Sequence, residues 1–232
     1  MSTNKAAPTA INPDPSNLEE AHPSLPVCGK PRVRDRIFQT ACDLFYKHGI
    51  REVGVDAIAT AAGTNKMSFY RSFASKDELV AEYLDKKSNE FWIWWDGIVS
   101  AHEGDARRQI EALFDAFVAN TCFADSRGCA LANASVELAE AEHPGRQVAL
   151  KQKEEIQRRF RDLAAKAGAR KADELGDALM LLMEGGYLTR RTFGHGSGPL
   201  QAAALTARVL IDAYTPAGFT PSPDTDPSLL PR

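Results

Sequence analysis

The sequence predicts an all-α protein of about nine helices, and three observations carry that prediction. Apolar residues recur at helical spacing along most of the chain, as in Ile37, Ala41, Leu44 and Phe45, or Leu175, Leu179, Leu182 and Met183. Glycines stand where the stripes stop, at Gly49, Gly63, Gly104 and Gly168, and a helix C-terminus favours a residue that tolerates positive φ. Helix-start signals stand where stripes begin: Asn65, and the S-x-x-E pattern from Ser75 to Glu78. Their side-chain oxygens can accept from orphan backbone N–H groups.

Residues 1–30 hold Pro8, Pro13, Pro15, Pro23 and Pro26 among Ser, Asn and Ala. So little periodic apolar character does not offset ordering entropy, and a disordered arm is expected. The first helix begins near Arg32, with Pro31 suited to its first turn, and ends at Gly49. Its task is to bury Ile37, Leu44 and Phe45 under the two short helices that follow. The first of these carries Ile58, Ala59 and Ala62 as its stripe and stops at Gly63; the second follows Asn65 and carries Lys66, Ser68, Tyr70 and Arg71. Two short helices joined by a tight glycine turn form a helix-turn-helix unit. The second has the size and polarity to enter a DNA major groove. From Lys30 to Lys76 there are nine bases against four acids, on a chain whose net charge is −3. A basic segment on a slightly acidic protein is the footprint of a nucleic-acid-binding module.

Four blocks with fixed spacing extend this reading: A-x-x-L-F-x-x-x-G-I from Ala41, V-x-x-I-A-x-x-A-G from Val55, F-Y-x-x-F from Phe69 and S-K-x-E-L from Ser75. Over about residues 32–86 the chain resembles the TetR family of one-component transcriptional regulators. The resemblance implies that Phe69 points inward and that Lys66, Met67, Ser68, Tyr70, Arg71 and Ser72 face DNA, with Lys76 on a phosphate. Lysine can donate to guanine, and a methionine can meet a thymine methyl. The chain departs from the family at Gly54, where relatives carry Thr or Ser, so a side-chain cap is missing. Relatives often carry His or Tyr where Arg71 and Ser72 stand, so the bases read here do not follow by analogy.

A fourth, long helix is expected from about Ser75 to Val99, with the aromatic run F-W-I-W-W from Phe91 to Trp95. Aromatic residues nearly all round a helix imply burial on more than one side. A fifth helix runs from about Asp105 to Phe123, and a small-residue helix follows Arg127-Gly128 and ends before His143. The segment from Gly145 to Ala167 is strongly charged, with only Val148, Ile156, Phe160 and Leu163 as a narrow apolar seam. Two last helices, Ala172 to Phe193 and Pro199 to Tyr214, are joined by a short glycine-rich link that favours an antiparallel hairpin. R-G-C, a small-residue helix, then H-P and a charged helix resemble the ligand-binding half of a TetR subgroup. That resemblance implies an effector site, with Trp94, Trp95, Phe117, Cys129, Asn133 and Glu137 as candidates. It also implies that the last two helices meet their own copies in a homodimer, with Gly185, Gly186, Ala203 and Ala207 allowing close approach. The organisation expected is therefore an arm (1–30), a DNA-binding head (31–86), a ligand-binding and dimerisation domain (87–215) and a disordered tail (216–232).

The four cysteines, Cys28, Cys42, Cys122 and Cys129, have no paired spacing, which points to reduced thiols in a cytoplasmic protein. The N-terminus has no apolar run, so no signal peptide is expected. His22, His48, His102, His143 and His195 are scattered, and no nucleophile motif, metal motif or phosphate loop accompanies them. The expectation is a regulator without a cofactor, not an enzyme: a homodimer that binds near-palindromic operator DNA and is released by a small-molecule effector. The alternative is a helical small-molecule-binding protein with a weak or vestigial DNA-binding head.

Overall fold

A computed structural model describes residues 32–120, 128–193 and 198–215. The expected arm and tail lie outside the described residues, as does most of the glycine-rich link. The described elements are all helical: α1 (Val33–His48), α2 (Val55–Ala61), α3 (Lys66–Ser72), α4 (Lys76–Ser100) and α5 (Ala106–Asn120), then α6 (Ala130–Glu137), α7 (Pro144–Lys166), α8 (Ala172–Phe193) and α9 (Ala203–Tyr214).

The first three helices form as their caps and stripes require. Asn65 accepts from the Ser68 N–H at 2.9 Å and so starts α3. Gly63 closes α2 at φ 63°, a conformation that costs a side-chain-bearing residue. Ser75 accepts from the Glu78 N–H at 3.0 Å, while the Glu78 carboxylate reaches back to the Ala74 N–H at 2.7 Å. The reciprocal bond of the capping box thus lands one residue earlier than the simple pattern has it. Ile37, Ile58 and Phe69 are fully buried between the three helices.

Two apolar clusters organise the rest. The first joins Ile37, Phe45, Phe69 and Leu79 of the N-terminal helices to Ala130, Leu131, Ala134 and Leu138 of the α6 region. The second gathers Trp95, Phe114, Phe117, Phe160, Leu179 and Ile211 from α4, α5, α7, α8 and α9. Helix α4 contributes to both, so it ties the N-terminal helices to the C-terminal ones. The Arg170 N–H donates to the Tyr214 carbonyl at 3.0 Å, which sets the end of α9 beside the start of α8 and makes the pair antiparallel.

Helix α6 ends before His143, as expected, at Glu137: Leu138 leaves helical geometry at ψ 91°. The Arg146 guanidinium takes the freed carbonyls of Leu138 and Ala139 at 3.3 and 2.5 Å. The last helix opens with a 3₁₀ turn, Pro199–Ala202, before α9 proper. Gly186, Ala203 and Ala207 do not lie on an outer face, because all three are buried in their own chain. A side chain at Gly186 would collide with the Phe117 ring at 2.5 Å.

At the start of α2, Gly54 holds φ −85° and ψ 161°, ordinary extended geometry for any residue, and makes no side-chain cap. An added Cβ there would meet nothing within 4 Å. Gly54→Ser should therefore stabilise the protein by about 0.5–1 kcal/mol, through the cap acceptor and a less flexible unfolded chain. Thermal denaturation of the two proteins side by side checks this, and an unchanged midpoint would count against it.

Candidate nucleic-acid interface and internal cavity

Helix α3 has two distinct faces. Phe69 is fully buried and packs edge-on to Tyr70 and tilted against Phe73, at ring distances of 5.3 and 5.8 Å. On the other side Met67 and Tyr70 are 72% and 50% exposed, with Lys66 and Arg71 exposed beside them. The inward phenylalanine and outward tyrosine follow the sequence pattern. Ser68 is half-buried, and Ser72 donates its hydroxyl to the Ser68 carbonyl at 2.9 Å. Lys66 pairs with Asp56 at 3.3 Å across the turn. Such an exposed pair contributes little, about 0–1 kcal/mol, so it opens easily. Lys76 is half-buried at the start of α4; burial pulls its ammonium below the ordinary lysine range, with Asp77 and Glu137 opposing.

Part of the basic excess counted from sequence serves the fold. Arg34 pairs with Glu82 at 2.6 Å and lies 4.6 Å from the centre of the Phe73 ring. Arg36 donates to the Ala62 carbonyl at the end of α2, at 3.4 Å. Lys66, Arg71 and Lys76 are the bases carried by α3 and the first turn of α4.

A cavity of about 520 Å³ opens between α1, α4, α5, α6, α7 and α8. Tyr46, Phe91, Trp94, Phe117 and Tyr187 form its aromatic walls. Lys87 and Glu90 border it and pair with each other at 2.8 Å. Gln152 and Arg190 also line it, although only 3% and 4% of each is exposed. Burial pushes the Tyr187 phenol far above its usual range, so that wall stays neutral. Cys129, at the N-terminus of α6, completes the lining. Behind it the Lys153 ammonium lies 2.6 Å from Glu184 and 3.6 Å from the Cys129 sulfur. Burial pulls the Lys153 pKa down, but Cys129 and Glu184 together outweigh it and raise it above the ordinary lysine value.

Of the effector candidates, Trp94, Phe117 and Cys129 meet at this cavity. Trp95 is turned away into the core against Phe160, at a ring distance of 4.8 Å. Asn133 and Glu137 lie further along α6, towards α1. There the Glu137 carboxylate accepts from the N–H groups of Ile50 and Arg51 at 2.6 and 3.2 Å. Gly49, at φ 97°, lets the carboxylate come close: a Cβ would sit 3.1 Å from its oxygen. Sequence reasoning missed Gln152, Arg190, Tyr46, Lys87, Glu90 and Tyr187 as cavity residues. Two signals were available. Gln152 falls midway between Val148 and Ile156 in the seam of α7, and Arg190 continues the stripe of α8 one turn past Gly186.

His143 caps α7, its Nδ1 accepting from the Gly145 N–H at 3.0 Å, with Nε2 3.3 Å from Asp77. No group of three or more His, Cys, Asp or Glu suited to a metal ion occurs among the described residues. No described helix is long and apolar enough to cross a membrane. An apolar face remains on α8 and α9: Leu181, Leu188, Leu205 and Val209 are 73%, 67%, 65% and 58% exposed.

The model of bacterial regulatory proteins of the tetR family matches residues 37–83. A structure from Streptomyces avermitilis described as a TetR transcriptional regulator superposes with a TM-score of 0.70 at 30% identity, covering 78% of this chain and 97% of that one. The chain belongs to the TetR family. A second TetR-family regulator, SCO4454 from Streptomyces coelicolor, matches with a TM-score of 0.70 at 25% identity, over 78% of this chain and 87% of that one. An HTH-type transcriptional repressor from the same species, SCO4008, is 42% identical over 52 residues. That match spans 22% of this chain and only 27% of the repressor's length. This TetR-family member is thus a transcriptional regulator with a helix-turn-helix head; its α3 is the second helix of that motif, and its cavity opens between α1 and helices α4 to α8.

Proposed function

We propose that this regulator is a ligand-released repressor that works as a cytoplasmic homodimer on a near-palindromic operator. The observation that carries the reading is the two-faced α3: Phe69 anchors it, and Lys66, Met67, Tyr70 and Arg71 are presented together on the outside. Lys66 and Met67 meet base edges; Ser68, Tyr70 and Ser72 flank them; Arg71 and Lys76 hold phosphates. Two heads related by a two-fold axis reach half-sites roughly one duplex turn, ~34–36 Å, apart or at a related spacing.

The exposed leucines of α8 and α9 supply the dimer contact, and the aromatic cavity takes the effector. Helix α6 connects cavity to head. Its first turn lines the cavity with Cys129, Ala130 and Leu131, and its last residue, Glu137, holds the turn after α1. An effector that fits one position of α6 better than another biases the position of the head.

The test selects duplexes from a random pool with purified protein, then titrates the winner at fixed salt. Enrichment of a near-palindrome is expected, and Tyr70→Ala should weaken its binding about tenfold or more, as loss of a positioned contact implies. Binding indifferent to sequence, or indifferent to Tyr70→Ala, would sink the assignment of α3.

A further inference from the structure

One wall of the cavity belongs to the head. Among the described lining residues Tyr46 is carried by α1, while the others come from α4, α5, α7, α8 and the start of α6. Tyr46 is half-buried and packs against the first apolar cluster, so it stands where the head's core meets the cavity. The residue before it, Phe45, is 2% exposed and lies against Tyr83 of α4 at a ring distance of 5.6 Å. Lys87, also on α4, sits 5.6 Å from the centre of the Tyr46 ring and pairs with Glu90, which borders the same space.

Helix α1 carries this contact towards α3. It has 16 residues, which makes a rod about 24 Å long. Near its start Ile37 is fully buried in one cluster with Ile58 of α2 and Phe69 of α3. Beside it Arg36 donates to the Ala62 carbonyl at the end of α2, at 3.4 Å. Just past its other end Ile50 is pinned, because its N–H donates to Glu137 at 2.6 Å. Tyr46 lies one turn before that pin. Close-packed interiors transmit a displacement and do not absorb it. Pressure on Tyr46 from inside the cavity therefore pivots α1 about the pinned end, and the helices packed on its first half move with it.

We infer that Tyr46 is the residue on which an occupied cavity acts to displace the head, with the Glu137 contact as the pivot. This rests on the reading of the cavity as the effector site. Tyr46 is a positioning residue: its ring receives the contact, and it reaches the DNA only through α1.

The test needs no effector, because a larger side chain can occupy the cavity in its place. Cys129→Trp, Tyr46→Ala and Tyr46→Phe are made singly, and each Tyr46 variant is combined with Cys129→Trp in a double-mutant cycle. Affinity for the selected operator duplex at fixed salt is the readout. Cys129→Trp should bind about 5–150-fold more weakly than wild type, the range of coupling between distant sites. Tyr46→Ala alone should stay within about threefold of wild type, and in the Cys129→Trp background it should restore binding to that level. Tyr46→Phe keeps the ring and should restore nothing. Cys129→Leu fills less of the space and should show the same pattern with smaller losses, which keeps the test open if Cys129→Trp does not fold.

Weakened binding that persists when Tyr46→Ala joins Cys129→Trp would overturn the inference and leave the cavity acting through α6 alone. Restoration by Tyr46→Phe as full as that by Tyr46→Ala would overturn it too, because the ring would then not carry the pressure. So would a Tyr46→Ala variant that by itself weakens binding as far as Cys129→Trp does, since Tyr46 would then serve the head's own packing. Undiminished operator binding by folded Cys129→Trp and Cys129→Leu would overturn the cavity reading and the inference with it.

Discussion

Placing glutamates at Leu181 and Leu188 together should convert the proposed dimer into a folded monomer of 25.3 kDa and abolish tight operator binding. The two leucines sit one heptad apart on α8, 73% and 67% exposed in the single chain. Because they contribute so little to that chain's core, their replacement should change the folding of one chain by no more than about 0.5 kcal/mol. In a symmetric interface the same residues meet their own copies or near neighbours, so each substitution acts twice. Four carboxylates brought into an apolar contact must be desolvated unpaired or stay apart, and the cost of burial favours separation. Separation then removes the second head from reach of the second half-site. Linking two binding events raises apparent affinity by roughly 10²–10⁴-fold, and that factor should disappear. Sedimentation equilibrium reads the mass, and an operator titration reads the affinity. A double variant that stays dimeric would move the interface elsewhere on the surface.

Phase along a helix explains why this face was only half legible. The sequence marks α8 as apolar through Leu175, Leu179, Leu182, Met183, Gly186 and Tyr187. It does not say which of those positions face the chain's own core and which face a partner. Small residues suggested Gly186, Ala203 and Ala207 for the contact, yet their size serves internal packing, with Gly186 making room for the Phe117 ring. The outward leucines were less conspicuous because an isolated apolar residue off the stripe resembles ordinary surface.

The head was legible because its determinants are local. Asn65 caps three residues downstream, Gly63 turns the chain where it stands, and Phe69 and Tyr70 take opposite sides of one short helix. The cavity is the opposite case, since its walls come from positions as distant as Tyr46 and Arg190. Trp94 and Trp95 are neighbours in an aromatic run, and only the three-dimensional path of α4 sends one to the cavity and the other to Phe160. Gln152 carried a readable signal, a polar residue where the seam of α7 should be apolar. A buried polar group with no partner conflicts with packing, and such conflicts concentrate where a ligand binds.

Removing the Glu137 carboxylate should loosen the tie between cavity and head. Its oxygens accept from the Ile50 and Arg51 N–H groups at 2.6 and 3.2 Å, and Ile50 is only 5% exposed. In Glu137→Ala the part-buried Ile50 N–H loses its acceptor, at a cost of about 1–3 kcal/mol. Glu137→Gln keeps an oxygen acceptor and loses only the charge, so it should fall between the two. The apolar contacts of Ala130, Leu131, Ala134 and Leu138 with the N-terminal cluster remain in both variants. The head should therefore stay attached while its position relative to α6 becomes less defined. Hydrogen exchange at Ile50 should accelerate by about 10–100-fold, matching that free-energy cost, while amides of α7 and α8 exchange as before. Coupling between distant sites amounts to about 1–3 kcal/mol in general, 5–150-fold in affinity. Operator release by effector should shrink by a similar factor in Glu137→Ala and, by reciprocity, so should the effect of operator on effector binding. Unchanged exchange at Ile50, or full effector response without the carboxylate, would mean that the apolar contacts of α6 transmit the signal unaided.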